Sequence, residues 1–230
     1  MYTRRFFIIS SLIVFVFLHI SGCDYHPSSH HHKTVIPGDP LQALIEGNKR
    51  FMEDHPIHPD QTLDRIRELK KGQHPFAIVI CCSDSRVPPE LVFDQGLGDL
   101  FVIRNAGNIV GDYELGSVEY AVEHFHVPLV VVLGHSQCGA IGAYIEHKHD
   151  HMPIHVQKII DYIKYEPEEM EIQDTIHNYY EKAIRANILH GVHQLKQTGE
   201  GLAELVEHKQ ITIIGAHYDL ETGLVSIVEE

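Results

Sequence analysis

Two short segments carry the residues best suited to chemistry: Cys82-Ser83-Asp84-Ser85-Arg86 and, much later, His135-Ser136-Gln137-Cys138. Together they offer two thiols, an imidazole and a carboxylate, a donor set able to enclose one tetrahedral zinc ion. Catalytic zinc sites keep one position open, where a bound water is acidified to a pKa near ~7 and becomes a nucleophile. Two thiolates cancel the formal charge of the ion, so this zinc is a weaker Lewis acid than one held by neutral imidazoles. A helper is therefore needed. Asp84 can accept a hydrogen bond from the bound hydroxide and orient it, provided Arg86 holds the carboxylate off the metal with a bidentate fork. If that pair breaks, Asp84 can itself become the fourth ligand and close the site.

Each half must be positioned by a strand. Phe76 to Cys81 and Pro128 to Leu133 are short apolar, β-branched runs that break into polar, Gly-containing segments. Neighbouring parallel strands bring both halves together at their carboxyl ends, where open α/β sheets place ligands. Cys81 is adjacent to a ligand, but successive strand residues face opposite ways, so it reads as core. Ser83 and Ser85 have no neighbouring base that would make either a nucleophile. Further strands are expected at 100–104 and 211–217, and helices at 112–125 and about 171–196. Asp39-Pro40 starts another helix, with Leu41, Leu44, Ile45, Phe51 and Met52 on one apolar face. Alternating strands and helices make this an α/β chain: a mostly parallel central sheet flanked by helices.

The C-x-D-x-R and H-x-x-C motifs, both intact, resemble those of the β-class carbonic anhydrases, and the likeness runs from about Asp39 to Val228. The resemblance implies one zinc per subunit, with Cys82, His135 and Cys138 as permanent ligands and Asp84 with Arg86 as the catalytic dyad. Asp84 would join as a fourth ligand only in a closed state. It also implies that Gln73, Phe101 and Tyr120 line the substrate pocket for carbon dioxide and bicarbonate. The implied oligomer is a homodimer or homotetramer, with the N-terminal helix packed on a neighbouring subunit. Some relatives bind an inhibitory bicarbonate through a Trp, an Arg and a Tyr; Arg104 and Tyr218 match two of these, and Val79 stands at the Trp position. The implied activity is reversible hydration of carbon dioxide to bicarbonate and a proton. A carbon disulfide or carbonyl sulfide hydrolase on the same fold is one alternative, and a non-catalytic zinc-binding lipoprotein is another. The dyad argues against the latter, because storage has no use for a hydroxide-orienting carboxylate.

The N-terminus sets the location. Arg4 and Arg5 precede an apolar stretch from Phe6 to Ile20, the layout of an export signal. Its ending, Ile20-Ser21-Gly22-Cys23, resembles a bacterial lipoprotein cleavage box, which makes Cys23 the expected lipidation site and acyl chains the membrane anchor. Residues 1–22 thus read as a signal peptide and 23–38 as a lipidated tether containing His26, His30, His31 and His32. Residues 39–230 form the catalytic domain, long enough for a sizeable core. The expected location is extracytoplasmic, on the periplasmic face. A formal net charge of -14 excludes nucleic acid as a partner, because phosphate binding needs clustered Lys and Arg.

Overall fold

The computed structural model describes residues 38–146, 152–170, 178–197 and 200–229. The signal segment, Cys23 and nearly all of the His-rich tether lie outside the described residues. Among the described residues, no helix is long and apolar enough to cross a membrane.

The apolar runs form the centre of a five-stranded sheet: β1 (Ala77–Cys82), β2 (Leu100–Asn105), β3 (Leu129–His135), β4 (Thr212–Tyr218) and β5 (Val225–Glu229). Their order is β2-β1-β3-β4-β5; the first four are parallel, and β5 runs antiparallel to β4. Every residue of β1 and β3 is buried, which explains runs such as Leu-Val-Val-Val-Leu rather than an alternating pattern. The chain leaves β1 for β2 on one side and returns to β3 on the other, so the β1/β3 junction is the topological switch point.

Nine α-helical segments are described: α1 (Pro40–Met52), α2 (Leu63–Leu69), α3 (Pro89–Val92), α4 (Asp112–Phe125), α5 (Gly139–Glu146), α6 (Ile154–Lys164), α7 (Pro167–Met170), α8 (Tyr179–Gln197) and α9 (Glu200–Glu207). One sheet face packs Ile78, Ile80, Val130, Val132 and Ile213 against α4, α5, α6, α8 and α9. The other packs Val79, Cys81, Val131 and Ile214 against Leu44 of α1 and Val92 of α3. The helix expected over 171–196 is α8, and 171–177 lie outside the described residues.

The first helix begins as its sequence indicates: Asp39 accepts the Gln42 N–H at 3.0 Å, and Pro40 opens the helix. Within its own chain α1 is fastened through Asn48. Buried Asn48 donates to the Val92 and Gly223 carbonyls, at 3.1 and 2.8 Å, and accepts the Val225 N–H at 2.9 Å. Leu44 is buried here as well, while Ile45 and Met52 of the same apolar stripe stay exposed.

Candidate metal centre

Cys82 ends β1 and His135 ends β3, two adjacent strands, while Cys138 immediately precedes α5. Their ligating atoms all lie within 4.8 Å of one another, and all three residues are buried. His135 is fully buried, with its Nδ1 2.8 Å from the Ser136 carbonyl. A carbonyl only accepts, so Nδ1 carries the proton and Nε2 keeps its lone pair. That Nε2 has no hydrogen-bond partner among the described residues. A buried imidazole nitrogen left bare costs free energy unless something binds it. Beside it lie two sulfurs. The Cys82 thiol is pushed well down, first by a hydrogen bond from Cys138, with burial opposing and the Gly107 N–H assisting. Cys138 is pushed up by the same bond and by burial. Two thiols and a bare imidazole nitrogen are the donor set of a zinc site with one open position, and the residues fit that ion.

Asp84 stands next to this set but is engaged elsewhere. Its Oδ1 accepts from Arg86 Nε and from the Arg86 N–H, both at 2.9 Å, and its Oδ2 accepts from Arg86 Nη2 at 2.7 Å. These bonds, the guanidinium's foremost, hold the carboxyl well below the usual carboxylate range despite partial burial. Arg86 also reaches the Gln137 carbonyl at 3.4 Å, so it ties the two motif loops together. The carboxylate is thus on Arg86, and the cluster itself has three donors.

Arg104 holds the loop from below. It donates to the Cys82 carbonyl at 3.1 Å and the Asp84 carbonyl at 2.7 Å, fixing the backbone on either side of Ser83. Tyr218 and Val79 are buried in the core on the opposite side of the sheet from Cys82. Cys81 lies in that core too, its thiol pushed up to about 12 by burial. It is core, as strand alternation predicts.

The three expected pocket residues do not reach the cluster in their own chain. Gln73 is exposed in the loop before β1, and that strand alone separates Ala77 from Cys82 by about 17 Å. Phe101 pairs with Ile78 near the start of β2, about 13 Å along the strand from Asn105, the residue opposite Cys82. Tyr120, on α4, is exposed and packs edge-on against Phe125 at 5.6 Å, and Phe125 lies 6.1 Å from Phe101. The reason is topological: all three sit towards the amino ends of the parallel strands, whereas the sulfurs and the imidazole sit at the carboxyl ends.

Sequence reasoning assigned nothing to four other neighbours. Gly107, at φ 81°, donates its N–H to Cys82 Sγ at 3.4 Å. Asn187 donates to the Gly107 carbonyl at 2.7 Å. Tyr180 donates to the Cys138 carbonyl at 2.5 Å, and the Ser136 hydroxyl accepts the Leu220 N–H at 2.8 Å. Only the glycine has a local signal, in the turn run Asn105-Ala106-Gly107-Asn108.

Residues 77–225 match the family model described as carbonic anhydrase. Carbonic anhydrase 2 of Mycobacterium tuberculosis is 53% identical over 102 residues, 44% of this chain and 49% of the relative. In that match the chain spans about half the length of the curated relative. A carbonic anhydrase of Pseudomonas aeruginosa is 33% identical over 202 residues, covering 82% of this chain and 88% of the relative. The solved structure of the β-carbonic anhydrase CcaA superposes with a TM-score of 0.63 at 29% identity, covering 83% of this chain and 92% of that one.

Proposed function

Because this chain belongs to the carbonic anhydrase family, we propose that it reversibly hydrates carbon dioxide to bicarbonate and a proton at the Cys82–His135–Cys138 cluster. The observation that carries this reading is the Asp84 carboxylate, fixed by both arms of the Arg86 fork beside a three-donor cluster. A zinc ion held by these three residues supplies the Lewis acidity that makes a nucleophile of water near neutral pH.

The remaining work belongs to the chain. Asp84 stays ionised because Arg86 pairs with it, and an ionised carboxylate has lone pairs left to accept an O–H bond. Accepting that bond turns the oxygen lone pair of the attacking group towards the carbon. Arg86, anchored on Gln137, keeps Asp84 from adding a fourth protein donor. Arg104 keeps the loop carrying Cys82 and Asp84 in register with both.

Gln73, Phe101 and Tyr120 serve the pocket of a second copy in this reading, which makes the active form a homodimer or homotetramer. The exposure of Gln73 and Tyr120, far from their own chain's cluster, supports it. Export and a lipid anchor at Cys23 complete the proposal, supported by Arg4, Arg5 and the Ile20-Ser21-Gly22-Cys23 ending. Replacing Cys23 by Ala and fractionating cells tests the anchor: the variant should leave the membrane fraction, and one retained there contradicts it. The test of function is stopped-flow hydration of carbon dioxide by zinc-loaded protein. Catalysis above the buffer rate, lost in Cys82→Ser, is expected; a zinc-loaded protein with no catalysis overturns the reading.

A further inference from the structure

Helix α8 reaches the site from behind at two points. Asn187 and Tyr180 are seven residues apart, two helical turns, and so share one face. Asn187 is 2% exposed and donates its side-chain amide to the Gly107 carbonyl at 2.7 Å. Gly107 in turn gives its N–H to Cys82 Sγ at 3.4 Å. The turn bearing that N–H is held on all sides. Asn105 brackets it, accepting the Ile109 N–H at 3.0 Å and donating to the Ile109 carbonyl at 2.8 Å. Position 107 admits only glycine, since its φ is +81° and a Cβ there would stand 2.9 Å from the Ala140 Cβ.

Tyr180 does the corresponding work on the other sulfur's residue. Its hydroxyl donates to the Cys138 carbonyl at 2.5 Å, the same carbonyl that accepts the Gly142 N–H at 2.9 Å in the first turn of α5. A packing role alone does not explain the asparagine. Its Oδ1 is buried with no hydrogen-bond partner among the described residues, and so is the Nδ2 of neighbouring Asn108. An apolar side chain would avoid that cost, so the polar one is kept for the bond it makes.

We propose that Asn187 and Tyr180 are positioning residues for the two metal-binding sulfurs. Asn187 fixes the turn that supplies the N–H donor to Cys82, and Tyr180 fixes the residue carrying the second sulfur. A hydrogen bond to a thiolate withdraws electron density from it, so losing the bond lowers the energy of sulfur-to-metal charge transfer, whereas losing either anchor frees the backbone that carries the sulfur and lets the metal leave sooner. The inference rests on the metal centre proposed above and extends it to residues that touch neither metal nor substrate.

The test uses the cobalt-substituted full chain, whose sulfur-to-metal charge-transfer absorption reports on the thiolates without any assay of turnover. Asn187→Leu should move that absorption to longer wavelength. Both Asn187→Leu and Tyr180→Phe should speed cobalt loss to a chelator by about 10- to 100-fold. Leu195→Ala, a buried change farther along the same helix, serves as the control for general loosening and should leave band and loss rate unchanged. Tyr180→Phe preserves shape, so it carries the test if Asn187→Leu does not fold. Wild-type band and loss rate in the folded variants overturn the proposal, as does a control that shifts them equally. A wild-type protein that takes up no cobalt, or keeps its band in Cys82→Ser, defeats the metal centre itself.

Discussion

Gly134 lies between Leu133 and the ligand His135, and α8 comes too close there for any side chain. A Cβ on Gly134 would stand 2.5 Å from Ile188 Cγ1 and 2.6 Å from Ile188 Cδ1, with Ile184 Cγ2 at 3.7 Å. Comfortable carbon contacts lie near ~3.5–4.0 Å, so helix and strand must part by about 1 Å for Gly134→Ala to fit. Overpacking of this kind costs about 1–3 kcal/mol. The lost freedom of the unfolded chain returns about 0.4–1 kcal/mol. The net expectation is a destabilisation of up to about 2.5 kcal/mol. Ile188→Ala alone should cost about 2–5 kcal/mol, because Ile188 is fully buried. In the double variant the new methyl enters the space the isoleucine vacates, so the pair should cost less than the sum by about 1 kcal/mol or more. Urea denaturation of the metal-free proteins measures this cycle. Zinc affinity should fall in Gly134→Ala, because the displaced strand carries His135, and recover in the double variant. Costs that add within about 0.5 kcal/mol would refute the close approach.

Asp84→Asn should lower carbon dioxide hydration by about 100-fold or more while leaving zinc content unchanged, since Arg86 rather than the metal holds this side chain. The Arg86 bond depresses the Asp84 carboxyl, so its stabilising effect is present above about pH 3.9, the unfolded value, and is lost as pH falls through the folded value. The melting difference between wild type and Arg86→Gln should therefore be flat from about pH 5 to 9 and shrink below about pH 4; thermal melts across that range check it. Alkylation followed by mass spectrometry should leave all three described thiols unmodified in the zinc-loaded protein. After chelation Cys82 should react first, and Cys81 only on unfolding, because burial holds its thiol near 12. Free zinc at about a thousand times its dissociation constant should add about 4 kcal/mol of stability, which calorimetry with and without chelator measures.

The motif residues were legible because each half is local. A thiol at a strand end, a carboxylate two residues on and a guanidinium two further along form one loop, and strand alternation alone separates Cys81 from Cys82. The helix at 112–125 was legible in full: Asp112 and Glu114 occupy its first turn, and Glu114 accepts the Gly111 N–H at 3.2 Å. Gln73, Phe101 and Tyr120 were placed by resemblance, which gives a residue its pocket without saying which copy contributes it. The strand's direction then puts them at the wrong end for their own site. Asn187 and Tyr180 left no pattern to read. Their bonds span 80 and 42 residues of chain, and within α8 they look like ordinary interior positions. The antiparallel β5 escaped notice because Val225–Glu229 is short and follows a turn built on Asp219, whose carboxylate accepts from Glu221, Thr222 N–H and the Thr222 hydroxyl.

Zinc-edge X-ray absorption on purified, fully loaded protein near neutral pH tests the central claim most directly. One zinc per chain with two sulfur neighbours, one imidazole nitrogen and one light atom, unchanged in Asp84→Asn, is the predicted result. A zinc whose light-atom shell changes when Asp84 is replaced, or a protein that binds no stoichiometric zinc, would contradict it.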